Sequence, residues 1–347
     1  MENDHKYYIP IPRDRDQACA NYDGAFLFLA RMAIPEIRRL RPFDEEIGDV
    51  TWLTFNARPV DAIFLSRIGK ERWMQIAREF QSKVTDEVIA EGMSSWPKAA
   101  YDLHGRDMEA KLRSRRDEIV EAAEKYYYQV NEAIEILGSE TSDRIELSYP
   151  DDERLTVRLK RREEGEAGAP FFERTFLADE TEEIRIFALD GDDELLVSGT
   201  PHSDIQVRFV GGTDHDRVAA LGGSRLSARG VAVYDRDDGI DIDSSISIDD
   251  ERSGDPYRNQ YDFNDPHHQP TKAAAFPSAL ANADDGLLLR GSGSVVLGGF
   301  KRTPFASSHT FSAAVATTTA GVRGGYVGAF PNSLGSLDQE VSLSGTT

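Results

Sequence analysis

Two kinds of acidic cluster in this sequence could do chemistry. The first is the run Ile11-Pro12-Arg13-Asp14-Arg15-Asp16-Gln17. Asp14 and Asp16 follow a short apolar stretch at i, i+2, a spacing that can hold Mg²⁺ against phosphate oxygens, as the metal-binding aspartate of kinases does. The second kind is an Asp/Gly corner. Gly191-Asp192-Asp193 and Gly211-Gly212-Thr213-Asp214-His215-Asp216 set Asp192, Asp193, Asp214 and Asp216 beside glycines. Ca²⁺ takes several oxygens, and closely spaced carboxylates with carbonyls exposed by glycine supply them. The stretch from Gly211 to Val218 partly matches the calcium nonapeptide repeat, with Asp214 in place of its third glycine. Each cluster also has a plainer reading. Asp14-Arg15-Asp16 suits a charged turn entering a helix. Asp and Gly are ordinary corner residues, because short polar side chains bond their own backbone and glycine accepts positive φ. The acidic run from Asp235 to Asp250 reads as a solvated face, and His267-His268 as a solvated pair. No P-loop, H-E-x-x-H or serine or cysteine nucleophile motif occurs.

Composition narrows the classes. The chain has 347 residues, with 61 Asp plus Glu against 40 Lys plus Arg, a net charge of -21. Such a chain repels a phosphate backbone, so nucleic acid is not an expected partner. Hydrophobic residues make up 39%, enough to bury a core. The single cysteine, Cys19, excludes an intrachain disulfide framework and any multi-cysteine metal site. No run approaches the roughly 18 apolar residues of a membrane-spanning helix. The first residues carry neither a cationic nor an apolar signal-peptide region.

The elements that must position these residues follow from periodicity. Residues 1–19 are punctuated by Pro10 and Pro12 and read as extended. Residues 20–138 read as helical. Phe26, Leu29, Ala33 and Ile37 recur at helical spacing, with a kink at Pro35. Trp73, Ile76, Ala77 and Phe80 line a second helix, and Thr85 caps a third, with Asp86 and Glu87 in its first turn. A long helix begins near Arg106, carries a stripe from Met108 to Ile134 that includes Tyr126, and stops at Gly138. From about 140 to 250 the period becomes two. Ile145, Leu147 and Leu155, Val157, Leu159 form a hairpin around Pro150-Asp151-Asp152. A pattern of strand, Asp/Gly corner and strand then occurs three times, as expected of stacked solenoid rungs or a sandwich. Residues 251–284 read as a polar linker. From Asp285 to Phe330 the chain alternates small or apolar residues, as in Val322, Gly324, Tyr326, Gly328 and Phe330. These segments approach the ~9–11 residues of a tilted membrane-spanning strand. Residues 331–347 read as an unstructured tail.

Several of these stretches together resemble one group of large bacterial envelope proteins. The run from Tyr8 to Ala18, with Asp23-Gly24, resembles the metal-binding segment of a CotH-like or HipA-like phosphotransferase. The run from Thr51 to Arg58 and the one from Arg113 to Ile119 resemble its helical continuation. Asp285-Gly286-Leu287 and the stretch from Gly299 to His309 resemble the first hairpin of a BamA/TamA-family outer-membrane barrel of the surface-antigen type. Such proteins often carry a metallophosphoesterase domain further upstream. The resemblance implies that Asp16, followed by Gln17-Ala18, takes the metal position, with Cys19 where the family carries an aromatic. A kinase-type site also needs a phosphate-binding lysine and a catalytic loop; only 13 residues precede Asp14, so no ATP turnover is expected.

The expected fold is α+β. Its parts are a helical phosphotransferase-like remnant (1–138), an all-β solenoid-like or sandwich domain (139–250), a linker, and incomplete antiparallel barrel strands (285–330). About three strands are expected, fewer than the roughly 8 that close a membrane barrel. The expectation is therefore an internal, truncated or frameshifted piece of a larger exported protein. It would connect an upstream envelope enzyme domain to an outer-membrane barrel, with lipid and that upstream domain as partners. Two alternatives stand beside it: a soluble CotH/HipA-like phosphotransferase fragment using Asp14 and Asp16 for Mg²⁺, and a Ca²⁺-binding solenoid module using Asp192, Asp193, Asp214 and Asp216.

Overall fold

The computed structural model describes residues 22, 24–162, 168–201, 204–222, 225–263, 268–282, 286–334 and 337–346. The chain is mixed α+β, with helices first and strands after. The helices are α1 (Ala25–Ala33), α2 (Val50–Leu53), α3 (Arg58–Phe64), α4 (Lys70–Lys83), α5 (Asp86–Ser94), α6 (Lys98–Ala100) and α7 (Arg106–Asn131). Helix α4 packs along α7: the Trp73 indole N–H donates to the Ala123 carbonyl at 2.9 Å, and Tyr127 meets Trp73 edge-on. Thr85 caps α5 as its position predicts, accepting from the Val88 N–H, and Arg116 of α7 pairs with Asp86 at 2.6 Å. Helix α1 ends at Ala33, and a 3-10 turn begins at Pro35, whose ring cannot continue the α ladder. Its expected core residues Phe26 and Leu29 instead stand clear of the described residues.

Helix α7 stops at Asn131, earlier than its apolar stripe suggests. Ile134 and Ile136 belong to β1 (Ala133–Leu137), which pairs with a later strand, so sheet pairing overrides the helical period. Gly138 is not a helix stop. A Cβ there would come 2.5 Å from the Ala188 carbonyl oxygen, so glycine permits the close approach of two backbones.

The middle of the chain is a parallel β-solenoid. Its strands are β2 (Asp143–Tyr149), β3 (Arg154–Arg161), β4 (Phe172–Leu177), β5 (Glu183–Phe187), β6 (Glu194–Gly199), β7 (Gln206–Val210), β8 (Asp216–Ala220), β9 (Leu226–Tyr234), β10 (Ile240–Ile242) and β11 (Ile246–Asp250). One sheet runs β1-β5-β7-β9-β11, parallel throughout. The other runs β10-β8-β6-β2-β3-β4, parallel from β10 to β2, with β2, β3 and β4 joined as antiparallel neighbours. Four rungs result: β1-β2, β5-β6, β7-β8 and β9-β10. Alternate residues point between the sheets, and Ile134, Ile184, Val207 and Val231 stack there against Ile145, Leu195, Val218 and Ile240. Each fully buried aliphatic side chain contributes roughly 1.5–3 kcal/mol. The expected hairpin around Pro150 is β2-β3, and the threefold strand–corner–strand pattern is the last three rungs.

Two joints tie the solenoid to its neighbours. At the first, Arg174 of β4 is buried and donates to the Ser66 carbonyl, the Asn131 side chain and the Tyr127 hydroxyl, while that hydroxyl donates to Glu180. At the second, Phe300 is buried on the outer face of the first sheet against Phe187, Tyr234 and Tyr261. The guanidinium groups of Arg185 and Arg208 lie over its ring, and the ammonium group of Lys301 donates to the Gln260 carbonyl.

The remaining strands are β12 (His268–Gln269), β13 (Lys272–Asn282), β14 (Gly286–Leu297), β15 (Gly299–Phe300), β16 (Ser307–Ala316), β17 (Val322–Leu334) and β18 (Leu337–Thr346). Five of them form an open antiparallel meander, β13-β14-β16-β17-β18, and no barrel is closed among the described residues. Two expectations need correction. The expected linker contains β13, whose side chains are mostly small. The expected tail contains the end of β17 and β18, where Val341 and Leu343 alternate with Glu340, Ser342 and Ser344. Pro331 and Gly335 punctuate this stretch and hide its period-two pattern.

Candidate functional site

The structure brings the four corner aspartates into two adjacent rungs but splits them, two facing outward and two inward. Asp14, Asp16 and Cys19 lie outside the described residues. Asp192 and Asp214 are exposed at the corners, and each accepts from a backbone N–H one rung away: Asp192 from His215 at 3.1 Å, Asp214 from Gly191 at 2.9 Å. Asp193 and Asp216 are buried in the interior of the solenoid. The four do not surround a common point, and no group of three or more His, Cys, Asp or Glu among the described residues is arranged to hold a metal ion.

Asp193 and Asp216 instead belong to a ladder that the sequence reading missed. Asp143, Asp193 and Asp216 occupy equivalent positions at the start of the second-sheet strand in three successive rungs. The Asp143 N–H donates to the Asp193 carboxylate at 2.6 Å, and the Asp193 N–H donates to that of Asp216 at 2.8 Å. Asp235 closes the fourth rung's corner, its carboxylate accepting from the Arg236 N–H at 2.5 Å. All four aspartates are buried. Asp143 has both oxygens occupied by Ser139. The Oδ2 atoms of Asp193, Asp216 and Asp235 have no hydrogen-bond partner. Burial, reinforced by neighbouring carboxylates, pushes Asp193 up to about 9 and Asp216 up to about 8, and burial raises Asp235. The separations along the chain are 50 residues from Asp143 to Asp193 and 23 from Asp193 to Asp216. The first interval holds the β3-β4 hairpin, which masks the repeat.

The second feature is the C-terminal meander. Its register places Leu287, Leu289, Gly291, Gly293 and Val295 of β14 beside Val315, Ala313, Phe311 and His309 of β16. The same face continues through Val322, Gly324, Tyr326 and Gly328 of β17 to Val341, Leu343 and Gly345 of β18, and on the other side to Ala273, Ala275, Pro277 and Ala279 of β13. Among the described residues this face carries no acidic residue, lysine or arginine. Phe311 is 54% exposed and Leu343 65%. A polar cluster lies at the end nearest Phe300, where the His309 ring bonds the Tyr326 hydroxyl at 2.9 Å and packs against Phe330. The opposite face carries Lys272, Ser278, Arg290, Ser292, Ser294, Thr310, Ser312, Arg323, Glu340 and Ser342, interrupted by Phe276, Leu280, Leu288, Val296, Val327 and several alanines.

A helical region, a solenoid with a polar interior ladder and a sheet greasy on one side make no recognisable catalytic constellation among the described residues. Comparison with protein-family models, with curated proteins and with solved structures gives no match.

Proposed function

We propose that this chain is the membrane-proximal part of a cell-envelope protein of the BamA/TamA-like kind. In this reading the C-terminal meander supplies leading strands of an outer-membrane barrel. The helical region and the solenoid form the module that connects an upstream domain to it. One observation carries the proposal: five neighbouring strands present a continuous face without a formal charge, largely exposed, while Lys, Arg, Glu, Ser and Thr concentrate on the other face. Water would penalise so large an apolar surface; soluble monomers rarely expose more than a few hundred Å² in one patch. Lipid would accept it, and a barrel lumen would accept the Ser- and Thr-rich face. Strand length supports the same reading. Ten to thirteen residues at ~3.3 Å each, tilted by about 45°, cross a band near 25 Å tall. The His309-Tyr326-Phe330 cluster suits the interfacial level where amphipathic rings concentrate in such barrels. In that setting the outer edges of β13 and β18 pair with further strands, because an unpaired backbone group in hydrocarbon costs several kcal/mol.

The test uses the full chain carrying Cys19→Ser and one new cysteine on β16, labelled with an environment-sensitive fluorophore. Reconstitution into vesicles with quencher-bearing lipid should quench Phe311→Cys, Ala313→Cys and Val315→Cys, and spare Ser312→Cys and Ala314→Cys. A chain that stays in the aqueous phase as a monodisperse particle, or quenching without the two-residue period, overturns the proposal.

A further inference from the structure

Asp216 and Asp235 meet at Gly211. A Cβ added to Gly211 would lie 2.2 Å from Asp216 Oδ2 and 2.4 Å from Asp235 Oδ2, so both oxygens crowd one side of a residue that must lack a side chain. Both aspartates are 1% exposed, and neither Oδ2 atom has a hydrogen-bond partner. The nearby cations make their hydrogen bonds elsewhere, while Arg236 and Arg252 still act on Asp235 through space, Arg236 lowering it. Arg236 reaches the Asp214 carbonyl, Arg252 pairs with Asp250, and Arg162 donates to the Asp192 carbonyl. Asn259 donates to the Gly212 carbonyl and also lies within hydrogen-bonding reach of Asp235, which it lowers. The other charged groups acting on this corner are carboxylates, namely Asp143, Asp192 and Asp193, with Arg161 reaching only as far as Asp143. Two buried carboxylates at such an approach cannot both be ionised; one proton held between them removes the repulsion and satisfies both orphaned oxygens.

We propose that Asp216 and Asp235 share one proton across Gly211 and thereby latch the third rung of the solenoid to the fourth. The latch lies in the solenoid and is independent of the membrane reading. Its pH dependence has a definite sign. The folded pair binds a proton more tightly than the same aspartates in the unfolded chain. The stabilisation is therefore complete below the ordinary aspartate range and is lost as pH rises to about 8, with no further loss above.

The experiment is amide exchange of the full chain in detergent, corrected for intrinsic exchange, at the Asp193 and Asp216 N–H groups. Protection should fall by at least about tenfold per pH unit between about pH 5 and 8. Asp235→Asn, which keeps the acceptor for the Arg236 N–H, should lessen that slope by about tenfold per unit. An infrared carboxylic-acid band present at neutral pH in the parent should weaken in the variant. A flat parent profile, a variant profile parallel to the parent's, or loss of the band with a gain of protection on adding Ca²⁺ overturns the proposal. If Asp235→Asn fails to fold, Asp216→Asn must lessen the slope in the same way, leaving only the part that Asp193 contributes, and an unchanged slope there is equally fatal.

Discussion

At Asp193 one carboxylate oxygen accepts a backbone N–H from the next rung while the other faces the buried interior without a partner. The acceptor role does not require a charge. Asp193→Asn keeps an oxygen for the Asp143 N–H and is neutral at every pH. Because burial holds the parent's Asp193 up to about 9, the folded chain must keep a proton that the unfolded chain releases near 4. The parent thus loses stability as pH rises from about 4 to 9, and the variant does not. Thermal unfolding at about pH 8 should show the variant more stable by up to roughly 5 kcal/mol, with the gain vanishing near pH 4. Equal melting curves at both pH values would refute this account of the ladder. The sequence marked Asp193 and Asp216 as unusual but could not show what they do. Their partners, Asp143 and Asp235, are set by rung length. The inserted hairpin makes the first rung spacing more than twice the next, so no fixed period brings the aspartates into line.

At the scale of elements, stacking rungs need backbone to approach backbone at the corners, and glycine marks the places. Gly212 has φ +116°, and a Cβ there would lie 1.8 Å from the Leu189 carbonyl oxygen. Gly212→Ala therefore combines left-handed strain with a backbone clash that no rotamer change relieves. It should cost about 3 kcal/mol or more, read as a lower urea midpoint, whereas Gly222→Ala, with no atom within 4 Å of its added Cβ, bears only the strain of its φ of +100°. Equal losses at the two positions would mean that rung contact at Gly212 is not what requires glycine. Period-two alternation made the strands of the solenoid legible, and the cap at Thr85 was legible from local chemistry. What the sequence lacked was pairing: Ile184 sits beside Ile134 and Val207 in a parallel sheet, and alternation is the same for parallel, antiparallel, solenoid and sandwich arrangements. Helix α7 ended early, and β18 went unseen, for the same reason. Each outcome depends on a neighbour far along the chain.

At the scale of the whole molecule, the solenoid must be joined to the C-terminal sheet. The connection runs through residues 251–271, but the contact that fixes it is Phe300, inserted among Phe187, Tyr234 and Tyr261 and covered by Arg185 and Arg208. Glu183 accepts from both guanidinium groups, so these cations are held in place and part of their charge is balanced. Phe300 is followed at once by Lys301, also buried, whose ammonium group is satisfied by the Gln260 carbonyl. Removing the ring takes away the apolar filling but leaves the two arginines and their glutamate. Phe300→Ala should therefore cost roughly 3–5 kcal/mol of docking energy without unfolding the solenoid core. The expected signature is separation of one unfolding transition into two, together with faster proteolysis within residues 251–271. Asp193 and Asp216 should keep their amide protection throughout, since the ladder lies between the sheets and Phe300 packs outside them. If the variant unfolds in one transition with the parent's protease resistance, the joint is held by other contacts. If ladder protection falls as well, the solenoid depends on the C-terminal sheet for its own stability.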